Sequence, residues 1–187
     1  KYMATGEAQE SHKADLKEKL EGKKVLLIAP GKSSGEEKNK IAAFAANEDV
    51  VSISVNFDYP GCDTDYIFVS NLRRFRELDT EQYGKCIVTS NIPADNVYLQ
   101  TNYFDLLLPI EAVQDNAGLM AIKFFMELGV KEIYLAGFDG YSHDVKQNYA
   151  LRQMELITKN AVIDAMNEGM IEILRECKKN IRISWLT

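Results

Sequence analysis

Small polar residues and glycines recur where the apolar runs of this 187-residue chain end, and their types could bind a ligand. Hydroxyl and amide side chains beside glycine leave backbone N–H groups accessible, and helix N-termini attract anions through unpaired donors and the helix dipole. The pattern predicts a site for a phosphate, a carboxylate or a nucleotide-like small molecule. Its candidate residues are Gly31, Lys32, Ser33, Asn56, Ser70, Asn71, Ser90, Asn91, Asn116, Gly118, Asp139, Gly140 and His143.

The turn "APGKSSG" is the strongest candidate for an anion-binding element. Gly31 permits close approach and a positive φ, and Lys32 supplies a positive charge. Ser33 or Ser34 is predicted to cap the next helix, with a glutamate three residues on completing a capping box. A P-loop would need glycine at Leu26, so we expect contact with one phosphate or carboxylate rather than a wrapped triphosphate. The alternative is a helix start satisfied internally, with the lysine in solvent.

The other candidates also have purely structural explanations. Ser, Asn and Asp are the preferred N-cap residues, so those at the ends of the apolar runs could serve only neighbouring N–H groups. Asp139 could hold a ribose hydroxyl or a metal ion, or could simply form a turn with Gly140. His143 could line the pocket as a donor or proton carrier, or lie in a solvated loop. The arginines at positions 73, 74 and 76 follow the third predicted strand closely enough for one of them to reach a bound anion. As a group they are predicted to form a solvated helix face, because acidic residues lie alongside.

Composition and charge exclude several classes of function. A formal net charge of -6 argues against a nucleic-acid partner, whose phosphates would require a basic face. The most apolar window, "AGLMAIKFFMELG", is too short to span a membrane and contains Lys123 and Glu127. The three cysteines are far apart and the chain has two histidines, so no disulfide framework and no histidine-based metal site are predicted. These features predict a soluble, cytoplasmic protein.

Strands and helices alternate along the chain. The predicted strands are "KKVLLIAP", "VVSISVNF", "DYIFVSN", "KCIVTSN", "KEIYLAGFDG" and "IRISWL", the last at a sheet edge. A helix is predicted from Ala117 to Leu128, ended by Gly129, and a long one over residues 156–178. Such alternation predicts a doubly wound, mostly parallel sheet in a Rossmann-like three-layer α/β/α fold. Residues 1–22 are predicted to be a helical connector from a preceding domain, and residues 23–187 a single domain.

Several of these segments together carry a resemblance to a known family. "LLIAPGKS", "VSISVNF", "DYIFVSNLRRF" and "AGLMAIKFFMELGVKEIYLAGFDGYS" resemble the C-terminal domain of bacterial aldolase-like proteins of the HMG-CoA lyase and 4-hydroxy-2-oxovalerate aldolase type. The resemblance covers most of residues 20–145. It implies a metal-dependent aldolase barrel before Lys1, which would hold the divalent metal and the catalytic residues of a lyase. No aldolase catalytic residue is carried over to this chain, for which no cofactor is predicted.

A more distant resemblance is to 6-hydroxymethylpterin diphosphokinase-like proteins and bacterial sialyltransferases. It depends on a late pattern that includes Gly129, Gly137 and Asp139, and it departs at the first turn. Three functions therefore stay open. The expected one is an accessory domain that binds an anionic or nucleotide-like molecule, and the alternatives are a free-standing transferase with a nucleotide or pyrophosphate donor and a ligand-free assembly module. The oligomeric state is also open, a homo-oligomer included.

Overall fold

The computed structural model describes residues 6–155 and 160–187 of the chain. The strands are Lys24–Ile28 (β1), Val50–Val55 (β2), Tyr66–Val69 (β3), Cys86–Thr89 (β4), Leu99–Thr101 (β5), Glu132–Ala136 (β6) and Arg182–Trp185 (β7). The α-helices are Gly6–Leu20 (α1), Lys32–Glu36 (α2), Lys38–Ala45 (α3), Leu72–Arg76 (α4), Tyr103–Leu106 (α5), Ala117–Glu127 (α6) and Asn160–Cys177 (α7). Among these helices, none combines the length and apolar character needed to cross a bilayer.

All seven strands form one parallel sheet in the order β5-β4-β3-β2-β1-β6-β7. The prediction of a Rossmann-like α/β fold is confirmed, and the last strand lies at an edge as expected. The sequence prediction missed the opposite edge strand, β5, because three residues are too few to show a strand pattern. The chain builds outward from β1 to β5 and then returns to place β6 on the other side of β1. The gap between the ends of β1 and β6 is therefore the topological switch point.

Burial on both faces explains why the central strands are continuous apolar runs. Val25 to Ile28 in β1 and Tyr66 to Val69 in β3 are all buried. Helix α6 covers one face with a wide apolar stripe that includes Phe124 and Phe125, and it ends as predicted before Gly129, whose φ is +91°. The long predicted helix is present from residue 160, and its first four predicted residues lie outside the described part of the chain.

Helix α1, predicted as part of a connector, packs against the same core. Leu16 and Leu20 are buried in the main apolar cluster. The Tyr98 hydroxyl donates a 2.7 Å hydrogen bond to Asp15, and the Gln100 backbone N–H donates to Gln9 in the same helix. Because these contacts lie beside β5, α1 covers an edge of the sheet that would otherwise expose unpaired backbone groups.

Candidate functional site

A cleft of about 310 Å³ opens at the carboxyl edge of the sheet, where β3, β2, β1 and β6 end. Helices α4, α6 and α7 and the segment after β6 complete its walls. The structure brings seven of the candidate residues into this lining, namely Gly31, Asn56, Asn71, Asn116, Gly118, Asp139 and Gly140. The other candidates, Lys32, Ser33, Ser70, Ser90, Asn91 and His143, do not line it.

Two glycines allow the ends of β1 and β6 to meet at the floor of the cleft. The Gly31 N–H donates a 3.1 Å hydrogen bond to the Gly137 carbonyl, and a Cβ on Gly31 would lie 2.2 Å from that oxygen. A Cβ on Gly137 would lie 2.1 Å from the Ala29 carbonyl, and its φ is +71°. Gly31 itself has φ −63°, so the positive φ that a glycine permits is not adopted here. Gly31 is needed for close backbone approach instead.

The "APGKSSG" turn is held by a carboxylate of the chain itself. Asp139 accepts hydrogen bonds from the Ser33 backbone N–H at 2.7 Å and from the Ser33 hydroxyl at 2.5 Å. Helix α2 is five residues long and its N-cap is Gly31, with no side-chain cap. The predicted serine cap and capping box are therefore wrong, since Ser34 is buried and donates to the Gly31 carbonyl. Asp139 therefore occupies both donors of Ser33, which would otherwise be open to an external anion.

Lys32 points along the surface beside the turn. Its Nζ donates a 2.5 Å hydrogen bond to Gln147 and lies 3.7 Å from Glu36. The side chain is 39% exposed and does not contribute to the cleft lining. The lysine therefore bonds to a neighbouring surface side chain. Neither the expected contact with the cleft nor the alternative of a locally capped helix start describes this turn, because the Ser33 donors are bonded by the distant Asp139.

Three asparagines of the cleft wall use their carbonyl oxygens on backbone N–H groups. Asn56 Oδ1 accepts from Ser70 at 3.1 Å, Asn71 Oδ1 from Arg74 at 3.2 Å, and Asn116 Oδ1 from Leu119 at 3.1 Å. Because only oxygen can accept these bonds, the orientation of each amide is determined, and its Nδ2 points to the other side. Asn116 Nδ2 bonds to the Tyr141 oxygen, whereas the Nδ2 atoms of Asn56 and Asn71 bond to no other described residue. Asn56 has φ +63°, a conformation that asparagine adopts more readily than most residues. The amides therefore offer mainly donors to a ligand.

The hydroxyl and amide candidates farther from the switch point connect strand ends instead. Asn91 Nδ2 donates to the Ser70 carbonyl at 3.1 Å, and Asn91 Oδ1 accepts from Thr89. The Ser90 hydroxyl accepts from the Tyr103 backbone N–H at 3.0 Å. These contacts join the ends of β3 and β4 and the start of α5, so both side chains have structural roles, although neither is the N-cap of a helix.

Arg74 was assigned to a solvated helix face, and for this residue the prediction is wrong. It is 5% exposed, lines the cleft and donates hydrogen bonds to Glu77 and to the Gln153 and Met154 carbonyls at 2.8 to 3.1 Å. Arg73, its neighbour on α4, is exposed as expected. One feature of the sequence could have indicated this burial. Leu78, which is buried, lies four residues after Arg74, so the two residues share one face of a helix.

Residues 141–155 form a covering segment that the site prediction represented only by His143. Tyr141, Asn148, Tyr149 and Met154 of this segment line the cleft. The segment is attached to α7 through Asn167, which bonds both the N–H and the carbonyl of Tyr141, and to the turn after β1 through the Ala150 N–H and the Pro30 carbonyl. His143 is exposed and its Nε2 lies 2.9 Å from Asp164.

Two tyrosines of the covering segment stay protonated at neutral pH. Burial raises the pKa of Tyr141 to about 12 and also raises the pKa of Tyr149. Asn116 Nδ2 donates to the Tyr141 oxygen at 3.3 Å. The Tyr141 hydroxyl proton is therefore directed away from Asn116. Tyrosine is common in cores, and no sequence pattern separates these two from the rest of the chain.

Within the described residues, no group of three or more His, Cys, Asp or Glu side chains could hold a metal ion. No buried side-chain nitrogen or oxygen in the same residues lacks a hydrogen-bond partner, so the polar groups that a ligand would meet are those open to the cleft.

Comparison of the chain with protein-family models, with curated proteins and with solved structures finds no match.

Proposed function

We propose that this chain is a small-molecule-binding domain, and that its ligand is a nucleotide-like molecule with an anionic group held in the cleft at the strand ends. The observation that carries the proposal is the convergence of polar residues from distant parts of the sequence on one cleft at the switch point. In open parallel sheets, ligands bind at this position. The volume of about 310 Å³ lies at the lower end of the range for small-molecule sites.

The dimensions of the cleft suit a ligand of nucleotide size. It reaches from the end of β3 to the end of β6, which are three strand spacings or about 14 Å apart. Val55, Val113, Phe138, Met166 and Met170 supply apolar surface in the lining. Apolar surface of this kind accommodates a planar or aliphatic body, while a few polar groups determine orientation.

The accessory role is the second part of the proposal. We assign the domain to an aldolase-like lyase because residues 20–145 resemble the C-terminal domain of such proteins, and the parallel α/β fold is the one that the resemblance implies. In this role the domain would bind its ligand in cis to an aldolase barrel that carries the divalent metal. Retro-aldol activity of the parent polypeptide that responds to a ligand of the cleft would support this role. A parent gene without a barrel upstream would contradict it.

Thermal denaturation with AMP, GMP, CMP and UMP as probes tests the binding function. A ligand at a hundredfold excess over its Kd stabilises the fold by about 2.7 kcal/mol. For a domain of this length that corresponds to a rise in Tm of about 5–11 °C. No rise with any of the four nucleotides would contradict the proposal.

A pair of variants tests whether the nucleotide binds in the cleft. Met166→Trp enlarges a half-buried wall residue of α7 and is expected to raise the Kd of the best probe at least tenfold by filling the cleft. Val162→Trp, on the same helix at a position that is 43% exposed and outside the lining, is the control and should bind normally. Equal affinities for both variants would place the binding elsewhere.

A further inference from the structure

We propose that Asn56 and Asn71 select the ligand by donating amide hydrogen bonds to an ionised oxyanion, a phosphate or a carboxylate, at the β2–β3 corner of the cleft. The inference rests on the proposed function and names which end of the cleft receives the charged group. It differs from the sequence-based hypothesis, which assigned the anion to the "APGKSSG" turn. Asp139 already occupies that turn.

The two amides lie next to each other at adjacent strand ends. The Asn56 backbone N–H donates to the Phe68 carbonyl at 2.8 Å, and its Oδ1 accepts from Ser70, the residue that precedes Asn71. Both asparagines line the cleft. Their oxygens are engaged by backbone N–H groups, and neither Nδ2 bonds to any residue in the described ranges, 6–155 and 160–187. Two amide groups with free donors therefore belong to the lining at this corner.

The distribution of charge around the cleft favours the same corner. Arg74 lines it and follows Asn71 by one turn of α4, and Asn71 accepts from the Arg74 backbone N–H. The carboxylates of the lining, Asp115 and Asp139, belong to the turn before α6 and to the end of β6. The ends of β2 and β6 are about 10 Å apart, because β1 lies between them. Asp139 therefore repels an oxyanion from the β6 end, while Arg74, the one cationic residue among the described residues that line the cleft, attracts it.

Neutral amides, rather than the arginine, provide the selectivity. The Arg74 guanidinium is engaged by Glu77 and by the Gln153 and Met154 carbonyls, so it contributes electrostatic attraction without a free donor fork. An amide N–H bonds an ionised oxygen about twice as strongly as a neutral one. Amide groups that offer N–H donors but no free acceptor thus favour a ligand group that only accepts hydrogen bonds.

Asn71→Asp is the sharpest test, because the two side chains have the same shape. Aspartate keeps the oxygen that caps α4 and is an equally good N-cap, so the fold should retain its stability. The substitution replaces the amide donor with a charged oxygen. Asn102→Asp is the matched control, since Asn102 caps α5 in the same way, accepting from Phe104 at 2.9 Å, and does not line the cleft. Asn71→Ser removes the donor without adding charge, and Asn56→Asp tests the second amide.

Calorimetry with the best-binding nucleoside monophosphate and with its nucleoside distinguishes the outcomes. We expect Asn71→Asp to raise the Kd of the nucleotide more than tenfold and that of the nucleoside less than threefold, with Asn102→Asp unchanged for both. An unchanged Kd for the nucleotide would overturn the inference and leave the proposed function intact. An equal loss for nucleotide and nucleoside would overturn the oxyanion assignment, because the amide would then contact the nucleoside. Absence of binding to the unsubstituted protein would refute the proposed function and this inference together.

Discussion

Replacing Gly137 by alanine should destabilise the fold at the floor of the cleft. Two costs add at this position. The φ of +71° is unfavourable for any residue with a Cβ, at about 1–2 kcal/mol. The added Cβ would also lie 2.1 Å from the Ala29 carbonyl, and relieving such an overlap costs about 1–3 kcal/mol. We therefore expect a loss of about 2–5 kcal/mol in the free energy of unfolding.

Gly22→Ala is the matched control for this prediction. Its φ is +69°, almost the same as that of Gly137, but a Cβ there would meet nothing within 4 Å. This variant should lose only the conformational cost of about 1–2 kcal/mol. The difference between the two variants therefore measures the steric cost of the close approach between the ends of β1 and β6.

Urea denaturation followed by circular dichroism measures both losses, and m-values should stay unchanged if the unfolded states are alike. In thermal melts the Tm of Gly137→Ala should fall by about 4–20 °C, as a loss of this size implies for a chain of this length. Equal losses for Gly137→Ala and Gly22→Ala would refute the reasoning, because they would mean that the chain relieves the overlap at no cost.

Two further predictions concern the arginine that the sequence analysis misassigned. Arg74→Ala should lower the free energy of unfolding by about 3 kcal/mol, because two backbone carbonyls lose a charged donor. Arg73→Ala should lower it by about 0.3–0.5 kcal/mol, because Arg73 forms only an exposed ion pair within its helix. Urea denaturation measures both losses, and similar values would contradict the assigned contacts. Glu77 tests the same pair by pH. Burial opposes its ionisation, but hydrogen bonds from the two arginines outweigh this and hold the pKa below the ordinary 4.5. A lowered pKa stabilises the fold above pH 4.5, and this stabilisation is lost as the pH falls toward the folded-state pKa. The free energy of unfolding of the unsubstituted protein should therefore approach that of Glu77→Gln as the pH falls through this window. A difference that stays constant with pH would refute the assignment.

Local sequence rules predicted much of the fold. Runs of apolar β-branched and aliphatic residues identified β1 to β4, β6 and β7, and helical spacing identified α6, because these patterns depend on neighbours within one or two turns. Asn71 and Asn116 cap helices as their type and position suggested. The same local reasoning could also anticipate that polar residues at parallel strand ends share one edge of the sheet.

Tertiary structure alone decided which of those residues form the cleft and what each one does there. The Ser33 backbone N–H donates to Asp139, which lies 106 residues away in the sequence. The Arg74 guanidinium donates to carbonyls of residues about 80 positions away. Neither partner can be read from the residues nearby, because a side chain's bonding depends on which distant backbone packs beside it. Local propensity acts over a few residues, whereas burial and hydrogen bonding act between whatever groups the folded chain brings within about 3 Å. For this reason the turn after β1 is closed by a carboxylate of the chain, whereas the asparagines after β2 and β3 keep free amide donors.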